Sequence, residues 1–300
     1  MIPFVPMPTF EYGRTEAVAP LIRRLVANNP GPFTYTGTGT YIIGRGEPGA
    51  GVAVIDPGPL DDTHLAALLA AVECQTVSHV LVTHTHRDHA PLARPFAEAV
   101  GAPVLAARPP ARTAHASGSL DEDDDESFSP DIVLTGGERL QGDGWTIEAM
   151  ATPGHASNHM AFVLPEENAL FSGDHVMGWS TTIVAPPDGD MAAYMASLEA
   201  VIARGFSTIW PTHGAPITEP GPFLEAYKTH RLGREAQVLA RLAAGDRRIA
   251  DMVPVLYAAV DPRLWPAASL SVWAHLIALE RGGAVQATPG PTIEADWALA

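Results

Sequence analysis

The segment Thr83–His89, Thr-His-Thr-His-Arg-Asp-His, constrains this chain more than any other part of its sequence. It brings three imidazoles and a carboxylate into six positions after a short apolar run, in a chain with 12 histidines among 300 residues. In an extended segment alternate side chains point the same way, so His84 and His86 can hold one metal ion. Asp88 and His89 follow where the chain turns towards a helix, and they can face a second ion. The segment therefore predicts a metal site at the end of a strand.

Three later loops offer further ligands, and each loop follows a short strand-like run. The candidates are His155 in Thr-Pro-Gly-His, Asp174 in Ser-Gly-Asp-His and His213 in Pro-Thr-His-Gly. Each loop is weak evidence alone, but four strand-end loops that each present a ligand predict one convergent site. Imidazole together with carboxylate suits Zn²⁺, with iron and manganese as alternatives.

The pattern of apolar residues predicts strands and helices up to residue 220 and a mainly helical segment after it. The predicted helices are Asp61–Val72, Pro91–Val100, Met191–Arg204, Phe223–Ala243, Ile249–Val260 and Ala267–Arg281. The predicted strands include Phe33–Ile43 and Ile183–Val184, and a hairpin is predicted over Ala284–Ile293. The six acids at 121–126 are interpreted as a solvated loop. We expect two domains, residues 1–220 and residues 221–300, the second with the element order of a winged helix.

The order His84-x-His86-x-Asp88-His89, followed by His155, Asp174 and His213, resembles the metallo-β-lactamase superfamily over residues 30–218. The resemblance implies an α+β fold, an αββα sandwich with the metal ions at one edge of two paired sheets. It implies His84, His86 and His155 on one ion, Asp88, His89 and His213 on the other, and Asp174 bridging the two. Asp56 matches an aspartate that accepts a hydrogen bond from a ligand histidine. His159 either orients a ligand, touches substrate or is a hydrogen-bonded structural residue.

This resemblance also implies a mechanism. A hydroxide bridging two Zn²⁺ ions attacks an ester, amide, thioester or phosphodiester centre, with Asp174 and Asp88 as catalytic residues. Either Asp88 or a metal-bound water protonates the leaving group. Trp179, Ser180 and Thr181 follow Asp174 and form a possible substrate loop.

Further features, in both halves of the chain, resemble the β-lactamase-like protein 2 group. The matching features are Gly37–Tyr41, Asp188–Met191, the run Lys228-Thr-His-Arg231 and the pair Arg234-Glu235 before the winged-helix pattern. An animal member of that group is a single-strand-specific endoribonuclease. The resemblance therefore makes single-stranded RNA an alternative to a small-molecule substrate.

Charge argues against nucleic acid as a general partner. The formal net charge is −16, and all of it lies in residues 1–220, where 26 acids face 10 arginines. Residues 221–300 carry eight acids and eight bases, so the winged helix lacks the basic patch expected of a DNA-binding domain. We expect no binding to DNA and none to an anionic membrane surface.

Two further activities of the superfamily remain alternatives. A glyoxalase II-like thioester hydrolase shares the spacing His155-x-x-x-His159, although the stretch after Asp174 carries no Lys or Arg. An iron-dependent oxidoreductase similar to persulfide dioxygenases would need one iron, whereas the full ligand set favours two ions.

The remaining expectations concern compartment and assembly. Cys74 is the single cysteine, so no internal disulfide can form, and the sequence shows neither an export signal nor a long apolar run. These features predict a cytoplasmic protein. Trp265 and Trp273 in the apolar winged helix suggest a possible homodimer surface.

Overall fold

The computed structural model describes residues 1–109 and 128–300, so the acidic run at 121–126 lies outside the described residues. In that described part, no helix combines the length and the apolar character needed to cross a membrane.

Seven strands form the first sheet, in the order β1-β2-β3-β4-β5-β6-β7. Their bounds are β1 Glu16–Ala19, β2 Ile22–Val26, β3 Gly39–Ile43, β4 Gly51–Ile55, β5 Thr76–Leu81, β6 Val104–Ala107 and β7 Ile132–Leu134. Strands β1 to β4 pair antiparallel, whereas β4 to β7 are parallel. The parallel strands therefore all end at the same edge of the sheet.

Five strands form the second sheet, in the order β12-β11-β10-β9-β8. Their bounds are β8 Arg139–Gln141, β9 Thr146–Ala151, β10 Met160–Leu164, β11 Ala169–Gly173 and β12 Thr208–Pro211. Strands β11 and β12 run parallel, and the other neighbours pair antiparallel.

The two sheets face each other across one apolar core. Side chains alternate along each strand, so Ile43 and Ile55 of the first sheet meet Phe162 and Phe171 of the second. The opposite faces are covered by helices. In β4, for example, Val54 points outwards to the helices on the first sheet.

Four helices cover the outer faces of this sandwich. They are α1 Asp62–Val72 and α2 Ala93–Val100 on the first sheet, and α3 Met191–Arg204 and the start of α4 Pro220–Ala243 on the second. Helix α1 begins where the Asp61 carboxylate accepts the backbone N–H of His64, and α3 begins where Asp190 accepts two such groups.

The C-terminal part has its own core. It is built by the end of α4, by α5 Ile249–Leu256 and α6 Trp265–Arg281, and by the hairpin β13 Val285–Thr288 and β14 Asp296–Leu299. Trp297 of β14 is fully buried there. Three helices followed by a hairpin is the predicted order of elements. The boundary at residue 220 stays a prediction, since α4 begins at Pro220 and contributes to both cores.

Several predicted elements are wrong in extent. The strand predicted over Phe33–Ile43 begins only at Gly39, because Tyr35 and Gly37 adopt positive φ and turn the chain. No strand forms at Ile183–Val184. The hairpin is shifted, since its second strand starts at Asp296 rather than ending at Ile293. Strands β1 and β2 were not predicted from the sequence.

Candidate metal centre

The candidate ligands come together because five strands end at one edge of the sandwich. Asp56 follows β4, the segment Thr83–His89 follows β5, and His155 follows β9. Asp174 and His213 follow β11 and β12, the parallel pair of the second sheet. The structure thus places all seven predicted ligands in one largely buried cluster at this edge.

The first group consists of His84, His86 and His155, whose ring nitrogens lie within 4.8 Å of one another. His84 Nε2 is 2.9 Å from His86 Nδ1, and His155 Nε2 is 3.2 Å from the same atom. Burial and then the neighbouring imidazoles lower the pKa of His84 well below its usual value, and they lower that of His86 to about 3. Both rings are therefore neutral at pH 7 and present lone pairs.

The second group consists of Asp88, His89 and His213. His213 Nε2 lies 3.0 Å from Asp88 Oδ2 and 3.4 Å from Asp174 Oδ2. His89 Nε2 lies 3.3 Å from Asp88 Oδ2 and 3.6 Å from Asp174 Oδ1. Asp174 also belongs to a third triad with His84 and His89. Its carboxylate therefore stands between the two groups.

Electrostatics differ sharply between the groups. Burial lowers the pKa of His213, but the carboxylates of Asp174 and Asp88 outweigh it and raise that pKa to about 10. The same carboxylates raise the pKa of His89 well above its usual value against burial. In turn His89 and His213 overcome burial and hold the pKa of Asp174 well below its usual range. Without metal, two protons therefore balance the two carboxylates.

Four of the candidate histidines are oriented by hydrogen bonds at Nδ1, which leaves Nε2 of each ring to bind a metal ion. His155 Nδ1 donates to the Ile183 carbonyl at 2.7 Å, and His213 Nδ1 donates to the Gly37 carbonyl at 3.2 Å. His89 Nδ1 donates to Asp56 Oδ2 at 2.9 Å. His84 Nδ1 lies 3.0 Å from the Thr83 hydroxyl. That hydroxyl donates its own proton to Asp56, so it accepts from His84.

These residues fit a metal pair. Among the described residues, His89 Nε2, His213 Nε2 and Asp174 Oδ1 are buried and make no well-aligned hydrogen bond, although carboxylate oxygens lie 3.0 to 3.6 Å from both histidines. Buried polar atoms without a partner are rare and costly in folded proteins. A cation between the groups would satisfy all three atoms at once. Imidazole nitrogen and carboxylate oxygen are ligands that Zn²⁺ accepts.

Asp56 is the hub behind the ligands. Its fully buried carboxylate accepts from His89, from the backbone and hydroxyl of Thr83, and from the Thr212 hydroxyl at 3.1 Å. Thr83 and Thr212 were not among the predicted site residues. A signal was available, since a threonine directly precedes the ligand in Thr83-His84 and in Thr212-His213.

His159 does not face the ligand groups with a free nitrogen. Its Nδ1 lies 2.8 Å from the Thr152 hydroxyl, and its Nε2 accepts the backbone N–H of Asp174 at 3.1 Å. The ring therefore supports the backbone of Asp174. Gly173 makes this contact possible, because a Cβ there would lie 2.6 Å from His159 Nε2.

Replacing Asp56 by asparagine is expected to weaken metal binding about 10- to 100-fold, the usual effect of removing an acceptor behind a ligand. An amide cannot accept all four of the hydrogen bonds that the carboxylate accepts. Chelator competition followed by metal analysis measures the change. Asp131→Asn is the control, because Asp131 also accepts a backbone N–H, that of Val104, but lies away from the cluster. Unchanged affinity in a folded Asp56→Asn variant would contradict this role.

The aromatic ring of Trp179 lies beside the second group. Trp179 stacks on Tyr35 with ring centroids 4.7 Å apart and planes 9° apart. A Cβ added at Gly214, the neighbour of His213, would lie 3.0 Å from Trp179 Cδ1. Ser180 and Thr181 are half-buried next to it. Tyr35 had no signal in the sequence, because it lay within a predicted strand.

Comparison with known proteins agrees with this geometry. Residues 37–213 match the family model of the metallo-beta-lactamase superfamily, and residues 249–297 match that of the beta-lactamase associated winged helix domain. An atrochrysone carboxyl ACP thioesterase from Aspergillus chevalieri is 34% identical over 230 residues, which are 76% of this chain and 67% of that protein. A beta-lactamase-like protein 2 homolog from Caenorhabditis elegans is 30% identical over 231 residues, 75% of this chain and 72% of that protein.

A solved structure extends the likeness to nearly the whole fold. A metallo-beta-lactamase family protein from Thermus thermophilus superposes with a TM-score of 0.75 at 23% identity, covering 95% of this chain and all of that one. The predicted αββα sandwich with a C-terminal winged helix is thereby confirmed. By its sequence and its fold, this chain belongs to the metallo-beta-lactamase superfamily.

Proposed function

We propose that this member of the superfamily is a hydrolase that holds two zinc ions and cleaves an acyl thioester. The observation that carries the proposal is the pair of three-ligand groups that share an edge of the sandwich, with Asp174 between them. Thioester as the substrate class is favoured by the similarity to a protein named as a carrier-protein thioesterase. The acidic charge of residues 1–220 disfavours RNA, whose backbone calls for a basic surface.

The proposed ligand sets follow the geometry. His84, His86 and His155 would hold one ion, Asp88, His89 and His213 would hold the other, and Asp174 would contact both. When bound, two such ions supply an acidified water and polarise the oxygen of the scissile carbonyl. In the reaction a C–O bond forms from water, the C–S bond breaks, and the thiol leaves with a proton.

The protein's own groups have distinct tasks in this reaction. Asp56 and Thr83 fix the rings of His84 and His89, so that no reorganisation is needed during turnover. Of the two carboxylates in the cluster, Asp88 keeps 18% of its side chain exposed and Asp174 only 6%. Asp88 is therefore the carboxylate that a leaving group can approach. We assign to it the transfer of a proton to the departing thiolate.

The stacked pair of Tyr35 and Trp179 supplies an apolar wall beside the second group. A flat aromatic surface contacts an extended acyl chain or a planar ring with little loss of side-chain entropy. We assign this wall, continued by the half-buried Ser180 and Thr181, to the acyl part of the substrate.

Trp179→Ala is expected to raise KM for an acyl thioester about tenfold or more, because a contact surface of an aromatic side chain is lost. The kcat should change less, because Trp179 is not one of the candidate metal ligands. Steady-state kinetics with acyl chains of increasing length checks this prediction. Trp273→Ala is the control, since Trp273 lies in α6 and packs with the C-terminal core. An equal rise in KM for short and long acyl groups would contradict the assignment.

Elemental analysis combined with a substrate panel tests the function itself. The panel holds an acyl thioester, a lactone, a β-lactam, a phosphodiester dye and single-stranded RNA. Two zinc ions per chain with thioester turnover would support the proposal. Turnover of RNA alone would replace the substrate, and one iron per chain without hydrolysis would overturn the reaction class.

A further inference from the structure

Helix α4 belongs to both domains. Phe223, Leu224 and Tyr227, near its start, are buried in the outer core of the catalytic sandwich, whereas Val238 and Leu242, near its end, are buried in the C-terminal core. Between these contacts the helix carries the segment His230-Arg-Leu-Gly-Arg-Glu235.

Arg231 in this segment is 4% exposed and faces the catalytic domain. Its guanidinium donates through Nη2 to the Thr182 carbonyl and lies 4.9 Å from the centre of the Tyr194 ring. Across the described residues, no carboxylate lies within ion-pair distance of it. A buried charge without a counter-charge is unfavourable for folding, so stability alone is a poor reason for its presence.

Tyr227, one turn earlier in α4, contacts residues 180–182 through its hydroxyl. That hydroxyl accepts the backbone N–H of Thr182 at 2.8 Å and donates to the Ser180 carbonyl at 2.9 Å. The Thr182 hydroxyl in turn donates to the Asp174 carbonyl at 2.7 Å. Side chains of α4 therefore bond the Ser180 carbonyl and both backbone groups of Thr182, and the Thr182 hydroxyl joins this stretch to the candidate ligand Asp174.

Residues 180–182 are followed by Ile183, which contacts His155. The next carbonyl along the chain, that of Ile183, accepts the Nδ1–H of His155 at 2.7 Å. This hydrogen bond fixes the ring that completes the first ligand group. The same segment continues backwards into Trp179 and the proposed acyl wall. A displacement of residues 180–183 would therefore disturb the first metal position and the substrate wall together.

The opposite face of α4, at Arg234 and Glu235, contacts the winged helix. Arg234 donates to the Leu256 carbonyl at the end of α5 at 2.8 Å and lies 4.0 Å from the centre of the Tyr257 ring. Glu235 lies 4.0 Å from His275 of α6. At the far end of α6, Arg281 pairs with Asp190, the N-cap of α3. The C-terminal domain thus supports the face of α4 that points away from residues 180–182.

We propose that Tyr227 and Arg231 are positioning residues of the metal centre, through which the winged-helix domain holds residues 180–183 and, by them, His155. This inference rests on the proposed two-metal function. It assigns the C-terminal domain the work of a brace for the active site, in place of a nucleic-acid-binding module.

The test compares Tyr227→Phe and Arg231→Met with Arg234→Met. Tyr227→Phe keeps the ring and removes only the hydrogen bonds of the hydroxyl to Ser180 and Thr182, so it stays informative if a larger change fails to fold. For both Tyr227→Phe and Arg231→Met we expect about tenfold weaker binding of one of the two zinc ions, the lower end of the usual range for groups behind a ligand. The kcat should fall with it. Chelator competition on the protein measures metal affinity independently of turnover.

Thermal unfolding of the metal-free variants separates positioning from general stability. We expect Arg231→Met to unfold within a few degrees of the wild type, since an apolar side chain replacing a buried unpaired charge is often neutral. Arg234→Met should instead lower Tm and weaken zinc binding less than either of these variants, because it loosens the support of α4 but leaves the contacts of Tyr227 and Arg231 with residues 180–182 in place. Wild-type affinity and kcat in Tyr227→Phe and Arg231→Met would overturn the inference, as would an equal zinc loss in Arg234→Met. Failure of the proposed function is distinct, because the wild type itself would then not bind two zinc ions.

Discussion

Asp174→Ala is expected to lower kcat/KM for the hydrolysed substrate by a factor of at least about 10³ and to reduce the zinc content below two per chain. The carboxylate lies between the two ligand groups, 3.4 Å from His213 and 3.6 Å from His89. Its removal takes a ligand from both proposed ions. Stabilisation by a metal ion is worth several kcal/mol in the transition state, which converts to a rate factor of about this size. Steady-state kinetics and elemental analysis on the same sample measure both effects.

Asp188→Ala provides the matched control. Asp188 is a carboxylate on a neighbouring loop, where it accepts the backbone N–H of Ser157 at 2.7 Å, and it is not part of any ligand group. We expect its loss to leave zinc content and kcat within about threefold of wild type, as for substitutions outside a functional site. His86→Ala is a second probe of the cluster, since His86 is only partly buried and its removal leaves the core intact. Two zinc ions with full activity in Asp174→Ala and His86→Ala would refute the proposed centre.

The residues of the cluster were predictable because their chemistry is local in sequence. Thr83–His89 directly follows β5, and the loops with His155, Asp174 and His213 directly follow β9, β11 and β12. A strand end is visible as an apolar run that stops at a polar residue. Helices α1 and α3 were predictable for a related reason, since Asp61 and Asp190 mark their first turns as N-caps.

What escaped prediction depends on contacts between distant segments. Ile183–Val184 has the composition of a strand, yet Thr182 and Ile183 give their backbone groups to side chains of Tyr227, Arg231 and His155. No neighbouring strand is then needed to satisfy them. Similarly, β2 contains Arg23 and Arg24, which break the apolar pattern, although Arg24 is buried. Composition within a window reports neither situation, because the partner lies far away along the chain.

Metal binding is expected to release about two protons per chain at pH 7. His89 and His213 hold raised pKa values in the metal-free protein, that of His213 at about 10, because Asp88 and Asp174 face them. The Nε2 atoms of His89 and His213 must lose their protons before they can bind a metal ion. Each displaced proton should therefore make the apparent affinity of the second group rise about tenfold per pH unit while the pH is below the pKa of its histidine, which for His213 is about 10. Titration calorimetry in buffers of different ionisation enthalpy counts the protons.

The stability of the protein should follow the same linkage with a defined sign. In the metal-free protein the raised pKa of His213 contributes stability below about pH 6.5, and this contribution is lost as pH rises through about 10. The loaded protein carries no such proton, so the increase in Tm caused by zinc should be larger at pH 8 than at pH 6. His275→Gln is the control, because His275 is buried outside the cluster with its pKa lowered to about 3. A proton release near zero, or a zinc effect on Tm that shrinks as pH rises, would show that His89 and His213 are neutral before metal arrives.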